Sequence, residues 1–393
     1  MTISLSLEKA CDLITDGTHY TPKDIGKGIP FLTVKDVYDN RLDFEFCSFV
    51  SDDDYRSAME GNSAPQLGDV LFSKDGTVGK VHVVATERPF AVLSSLAILR
   101  PKRGVVDPRY LGHVLKFPSV LHSALKRKTG SAIRRIVLSD LKRIQIPVPS
   151  IEDQRRIATI LDAADALRAK RRAALAKLDI LAQSIFIEMF GDPSSNPHRW
   201  PVKKLDELVC EDDSINYGVV QPGDEEAHGV PLVRVSDLIA GQVRHSVLKR
   251  ISASIEASYK RSRLRGDEIL VSCVGTIGVV ALVSDSEKGF NIARAIARIR
   301  PSDDVSRIYL AEYLMTDFAQ RYFTSELRTV SQPTLNIKQL GETHVLVPPL
   351  NLQRIFEGRI HALTIMKAAY LRSSSNIEVL FSSLQHRAFG GDL

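Results

Sequence analysis

Cysteine and tryptophan are scarce here: four cysteines and one tryptophan in 393 residues. Cys11, Cys47, Cys210 and Cys273 show no C-x-x-C spacing, which leaves no zinc pattern and points to a reduced, cytoplasmic protein. No run of about eighteen apolar residues exists, so no segment reads as a membrane span. The N-terminus, MTISLSLEKACDLI, lacks the basic region, apolar core and cleavage site of an export signal. Charge of one sign is not abundant either, with 52 Lys and Arg against 47 Asp and Glu, net +5. That excess is too small to imply nucleic acid by itself.

What the chain does have is internal repetition. Residues 73–84 read SKDGTVGKVHVV and residues 272–283 read SCVGTIGVVALV. IPFLTVKDV (29–37) matches VPLVRVSDL (230–238), and FAVLSSLAILRP (90–101) matches FNIARAIARIRP (290–301). IPVPSIEDQRRI (146–157) matches VLVPPLNLQRIF (345–356), so the chain is two copies of a unit about 199 residues long, too long a period for a solenoid. A Gly-x-x-Gly loop after an apolar run is compatible with a phosphate cradle. The glycine spacing is short for a nucleotide P-loop, and no Lys-Ser or Lys-Thr follows, so a strand-to-strand turn with glycine at positive φ is the simpler reading.

Each copy has two parts. The first, roughly 145 residues, mixes short β-rich stretches with local helical pattern and predicts an α+β domain. The second, from Ser150 to Phe190, has no internal proline or glycine and opens on a capping-box pattern, Ser150 before Asp153. About forty residues at 1.5 Å each make a helix of roughly 60 Å. Ile160, Ala164, Leu167, Ala174, Leu178, Leu181 and Ile185 trace an apolar seam, and Leu363, Met366, Tyr370, Ile377, Leu380 and Leu384 trace its counterpart. Two such helices satisfy each other as an antiparallel coiled coil with pseudo-two-fold symmetry; separate packing of each on its own domain is the alternative. Gly358, early in the second helix, predicts fraying or a bend there.

The order of motifs in both halves resembles the specificity (S) subunit of type I restriction-modification systems, over nearly the whole chain. The resemblance is carried by PVPSIEDQRRI and its weaker copy PPLNLQRIF, by Asp16-Gly17-Thr18-His19 and Tyr217-Gly218-Val219-Val220-Gln221-Pro222-Gly223, by the two Ser…Gly-Thr-x-Gly loops, and by Phe190-Gly191-Asp192. It implies two globular target recognition domains in tandem, at 1–148 and 193–348, each followed by a long spacer helix, at 149–192 and 349–393. It implies further that the chain binds double-stranded DNA at an asymmetric bipartite sequence. Two methyltransferase subunits and, in the full complex, restriction subunits would join it. S-adenosylmethionine, ATP and Mg are implied for those partners and no cofactor for this chain.

The residues agree with a non-catalytic role. An adenine-flipping methyltransferase needs an Asn/Asp-Pro-Pro-Tyr/Phe loop, and the nearest stretches are VPPL (347–350) and DPRY (107–110). Asp16 and His19 are a candidate acid-base pair, but the matching NYGVVQP (216–222) has neither group, so a turn reading is simpler. For DNA contact the candidates are Ser73, Lys74 and Thr77 with Ser272 and Thr276, whose hydroxyls and ammonium suit phosphates. A second set precedes the last strand of each domain. It comprises Lys126, Arg127, Lys128, Thr129, Ser131, Arg134 and Arg135, and in the other half Arg328, Thr329, Ser331, Gln332, Asn336 and Lys338. Arg pairs bidentately with guanine and Asn or Gln with adenine. The other readings are an enzyme built from loop carboxylates and a scaffold that reads no DNA.

Overall fold

The computed structural model of the protein describes residues 2–38, 41–125, 135–327 and 333–390, with the side chains at 123–125 and 179 outside that description. The chain divides into two compact units, Met1–Arg172 with Ser373–Leu393, and Ala173–Arg372. The architecture is α+β, as the residue patterns predict.

In the first unit four strands form an antiparallel sheet in the order Cys11–Asp16, Leu96–Pro101, Val70–Ser73, Val81–Val83. Val70–Ser73 is buried at every position, because the sheet is covered on both sides. Val70 and Phe72 enter a core with Tyr110, Leu111 and Val114 of the helix Pro108–Lys116. Leu71 points the other way, into a core with Leu32 and Val92 of a three-stranded sheet, in accord with the two-residue period of a strand. The second unit repeats the plan with Asn216–Tyr217, Ile296–Ile299, Ile269–Ser272 and Val280–Leu282. There Ile269 and Val271 enter one core and Leu270 the other.

Two glycines make the sheet junctions possible. Thr18 N–H donates to Val92 O at 2.8 Å, and Val219 N–H donates to Ile292 O at 2.7 Å. A Cβ on Gly17 would lie 2.2 Å from Val92 O, and one on Gly218 would lie 1.7 Å from Ile292 O. No side chain fits at that backbone approach, which is the physical content of the Asp-Gly-Thr and Tyr-Gly-Val motifs.

The long helices span Ile151–Phe190 and Leu350–Gly390. The second runs unbroken through Gly358, so the helix does not fray there. Ser150 caps the first, its Oγ accepting from Asp153 N–H at 3.1 Å and donating to the Asp153 carboxylate at 2.7 Å. Each helix is clamped to its domain by the glutamine of the proline-glutamine motif. Gln154, fully buried, accepts from Asp107 N–H at 2.9 Å and donates to Val105 O and Pro149 O, both at 2.9 Å. Gln353 does the same work in the second unit, accepting from Ser306 N–H at 2.8 Å and donating to Pro348 O at 2.7 Å. The N–H groups they bind head the helices Pro108–Lys116 and Arg307–Leu314, so one amide ties two helix starts together.

The expected seam is met in part: Ala164 is buried, and Ile185, Leu363 and Leu384 pack against the cores. Leu167 is 52% exposed and Leu181 42%, whereas Gln154, Ile157, Leu161, Ala164 and Phe186 are buried. In the second helix Met366 and Leu380 are 46% and 55% exposed, and Gln353, Phe356, Ile360, Phe381 and Ala388 are buried. The true seam steps by three and four through Gln154, Ile157, Leu161, Ala164 and Arg168, a series that counting only large apolar residues skips. In the first unit the start of one helix lies against the end of the other: Arg168 donates to both Glu378 carboxylate oxygens at 2.9 and 2.6 Å and to Asp165 at 2.6 Å, its guanidinium 4.2 Å above the Phe381 ring. In the second unit the opposite halves meet, with Phe356 5.6 Å from Phe186 and 5.2 Å from Phe190 between ring centroids.

Glu312, on the helix Arg307–Leu314, is held away from water, and burial pushes its carboxyl up to about 7 against the pull of Lys367. The folded state therefore binds the proton more tightly than the unfolded chain. Stability from this group is full below about pH 4.5 and is lost as pH rises through 7. Glu312→Gln is expected to match the parent at pH 4.5 and to exceed it by about 2 kcal/mol at pH 8. Urea unfolding at the two pH values checks this; an equal gain at both would refute it.

Candidate nucleic-acid interface

The two Gly-Thr-x-Gly loops are strand-to-strand turns. Val70–Ser73 pairs antiparallel with Val81–Val83, and Ile269–Ser272 with Val280–Leu282. Gly76, Gly79, Gly275 and Gly278 all take positive φ, from 66° to 96°. Ser73, fully buried, donates to Thr77 O at 2.6 Å and accepts from Lys80 N–H at 2.7 Å. Ser272, also fully buried, accepts from Val279 N–H at 2.8 Å. Both hydroxyls are spent on shaping the turn, so neither is available to DNA, and the expectation of phosphate contact is corrected for both. Lys74 is corrected likewise: it is 2% exposed, and its ammonium lies 3.0 Å from the Asp16 carboxylate. Burying a charge requires a partner of opposite sign, and Asp16 is that partner, with His19 3.7 Å from its other oxygen.

Thr77 and Thr276 remain exposed at the tips of their turns. Beside each tip the chain returns to the sheet: Ile136 N–H donates to Lys74 O at 2.9 Å, and Leu335 N–H donates to Cys273 O at 2.9 Å. Arg135 is exposed there with its Nε 3.2 Å from the Asp75 carboxylate. Asn336 heads the short helix Ile337–Gly341, its N–H donating to Gln339 at 3.2 Å, and Lys338 is exposed on that helix. Lys126, Arg127, Lys128, Thr129, Ser131 and Arg134 lie outside the described residues, as do Arg328, Thr329, Ser331 and Gln332. The structure thus places Arg135 beside Asp75 of the first turn and pairs Val274 of the second turn with Thr334, two residues before Asn336.

A third element beside the first of these loops was not among the sequence candidates. After Ile29–Leu32 the chain makes a turn closed by the bridge between Val37 and Leu42. Lys80 ties it to the Gly-Thr-x-Gly loop, its ammonium donating to Val34 O at 2.9 Å and Val37 O at 2.8 Å. Lys35, Tyr38 and Arg41 are exposed on it, with the Arg41 guanidinium 5.0 Å from the Tyr38 ring centre. Basic residues interleaved with an aromatic in VKDVYDNRL were the signal for it. The matching turn of the second unit pairs Leu238–Ile239 with Gln242–Val243. Behind the first loop His82 is driven below its usual value by burial and then by Lys116, so it is neutral at pH 7.

Among the described residues no group of three His, Cys, Asp or Glu is arranged to hold a metal. Burial pushes the Cys11 and Cys273 thiols up to about 12, which makes them poor nucleophiles.

Comparison with known proteins agrees with the doubled architecture. The family model described as the type I restriction modification DNA specificity domain matches twice, over residues 17–177 and 198–364. The type I restriction enzyme EcoBI specificity subunit of Escherichia coli is 28% identical over 318 residues, 73% of this chain and 66% of that protein, just under two thirds of its length. The MjaIX specificity subunit of Methanocaldococcus jannaschii is 24% identical over 75% of this chain and 71% of its own. Among solved structures, the type I restriction-modification S subunit from M. genitalium superimposes with a TM-score of 0.56 at 17% identity, covering 99% of this chain and 96% of that one. A chain from a study of complex assembly and conformational transition of the type I R-M system gives the same score and identity over 100% and 98%. With both of its halves matched by that domain, the chain belongs to the type I restriction-modification DNA specificity family.

Proposed function

We propose that this chain is the sequence-reading subunit of a type I restriction-modification complex, without catalytic activity of its own. In this reading each α+β domain contacts one half of an asymmetric bipartite DNA sequence. The two long helices act as the spacer between the readers, over bases that are not read. Thr77 and Arg135 in one domain, and Thr276, Asn336 and Lys338 in the other, contact the duplex together with the basic and polar stretches at 126–134 and 328–332. Segments 1–148, 149–192, 193–348 and 349–393 act as reader, spacer, reader and spacer. The assembled complex would methylate adenine with S-adenosylmethionine and cut DNA with ATP and Mg on other subunits, in the cytoplasm.

The observation that carries this reading is the duplicated loop set, exposed in the same place in both units but different in charge. Arg135 pairs with Asp75 of the first turn, whereas the matching return carries Pro333 and Thr334 against Gly275 and Val274 of the second. Unlike readers on a like scaffold suit unlike half-sites. Scaffolding of two methyltransferase subunits has separate support. Ile180 and Ile187 join Leu167 and Leu181 on the first helix, and Ile365 and Val379 join Met366 and Leu380 on the second, all between 42% and 69% exposed. Each helix therefore carries a second apolar stripe, suited to helices of another chain.

The test is co-expression with the methyltransferase subunit encoded beside this chain, followed by genome-wide mapping of adenine methylation. Methylation of one bipartite sequence, lost without this chain, is expected. A well-formed complex that methylates without sequence preference would sink the proposal in favour of a scaffold that reads no DNA.

A further inference from the structure

In both units the turn that follows the first strand of the three-stranded sheet bears two exposed apolar side chains at matching positions. Tyr38 is 45% exposed and Phe46 86%; Ile239 is 46% exposed and Val247 69%. Each pair is separated by eight residues and related to the other by a shift of 201, the same shift that relates Ser48–Val50 to Lys249–Ile251. Exposing two large apolar groups at equivalent places in two diverged halves is costly without a partner, because each forgoes about 1.5 kcal/mol or more of burial.

The backbone holds these side chains outward by different means in the two units. The Asp43 carboxylate accepts from Glu45 N–H at 3.0 Å and Phe46 N–H at 3.3 Å. Arg234 instead donates to Val247 O at 2.9 Å while its Nε bonds Asp237 at 3.1 Å. The turn itself is anchored identically, Asp43 N–H to Asp36 O and Arg244 N–H to Asp237 O, both at 2.8 Å. In the first unit the turn touches the Gly-Thr-x-Gly loop directly through Lys80. Cations lie near the apolar groups in each: Arg41 lies over the Tyr38 ring in one unit, and in the other Arg244 and Lys249, close to Val247 in sequence, donate to Ser236 O and Gly223 O.

We propose that these turns are apolar fingers that touch base edges or base steps of the target DNA, one finger for each half-site. This rests on the DNA-reading function proposed above and names residues that determine its specificity. Apolar character is kept between the halves while chemistry changes from aromatic to aliphatic. An aromatic pair is suited to wedging against a base step, and a branched aliphatic pair to packing on thymine methyl groups. The flanking cations supply the phosphate contacts that position such a finger without reading sequence.

The test uses the co-expressed complex with its methyltransferase subunit and maps adenine methylation for the parent, for Tyr38→Ala with Phe46→Ala, and for Ile239→Ala with Val247→Ala. The side chains are largely exposed, so the melting temperature of the complex is expected to stay unchanged. The first double variant is expected to relax one half-site, raising methylation of single-mismatch sequences there by roughly tenfold, and the second to relax only the other. A sequence-specific parent whose variants keep both half-sites unchanged would overturn the finger inference alone. Loss of complex assembly in the variants would assign the fingers to a protein partner and overturn it too. A parent with no sequence preference would mean that the DNA-reading function itself fails.

Discussion

Replacing Gly218 by alanine is expected to unfold the second unit. The new Cβ would sit 1.7 Å from Ile292 O and 2.3 Å from its carbonyl carbon, both backbone atoms with no rotamer to change. Retreat is blocked, because Val219 N–H bonds that same carbonyl at 2.7 Å and Arg294 N–H bonds Val219 O at 2.9 Å. Relieving the clash costs those hydrogen bonds and opens the core at Ile292, which is fully buried between the sheets. A loss of about 4 kcal/mol or more is expected, at the upper end for a single substitution. Thermal unfolding together with limited proteolysis checks it, with cleavage expected first between residues 200 and 350. A variant melting within about two degrees of the parent would show that the junction yields, and the steric argument would be wrong.

Arg298→Ala is expected to have an effect of similar size by an electrostatic route. The guanidinium is 1% exposed and donates to Asp213 at 3.0 and 2.8 Å and to Glu268, itself fully buried, at 3.0 Å. Burial works to raise the Asp213 carboxyl, but the bond from Arg298, the Ser214 N–H and the charges of Arg298 and Arg265 together outweigh it and hold the carboxyl below the usual carboxylate range. Without the arginine, two carboxylates are left in a site with little water, at a cost of about 3–5 kcal/mol at neutral pH. The sign with pH follows. In the variant the carboxylates take up protons more readily than in the unfolded chain, so the deficit should shrink as pH falls from 7.5 to 5. Urea unfolding at both values measures it, and a deficit that grows toward pH 5 would refute the account. The first unit shows that the network is not required by the fold. At the equivalent strand position stands Ile98, fully buried in a wholly apolar environment, and the buried Asp69 pairs with Arg100 instead.

These two sites mark how far local pattern reached. The repeat, the α+β domains and the forty-residue helices were legible because each rests on neighbours in sequence: strand alternation, turn glycines, uninterrupted helical runs. The candidate site was legible only in outline. Ser73, Lys74 and Ser272 have the side chains of DNA contacts, yet their partners are backbone atoms across the turn and a carboxylate 58 positions away. Lys35, Tyr38 and Arg41 are absent from the sequence candidates, because what singles them out is the fold around them. Nothing in the string shows that Lys80 folds that turn back onto the loop.

The helix seam makes the division clearest. Sequence alone determined that two long amphipathic helices exist, since a long run without proline, and in the first helix without glycine, with apolar residues every three or four positions favours helix over any other form. Which stripe faces inward was decided by tertiary structure. Each helix also carries exposed apolar residues, and the glutamine clamps at Gln154 and Gln353 set which face turns inward by pinning the helix start to the loop ahead of Pro108–Lys116 or Arg307–Leu314. A buried amide with three satisfied partners fixes rotation about the helix axis, and the hydrophobic pattern by itself leaves that rotation open.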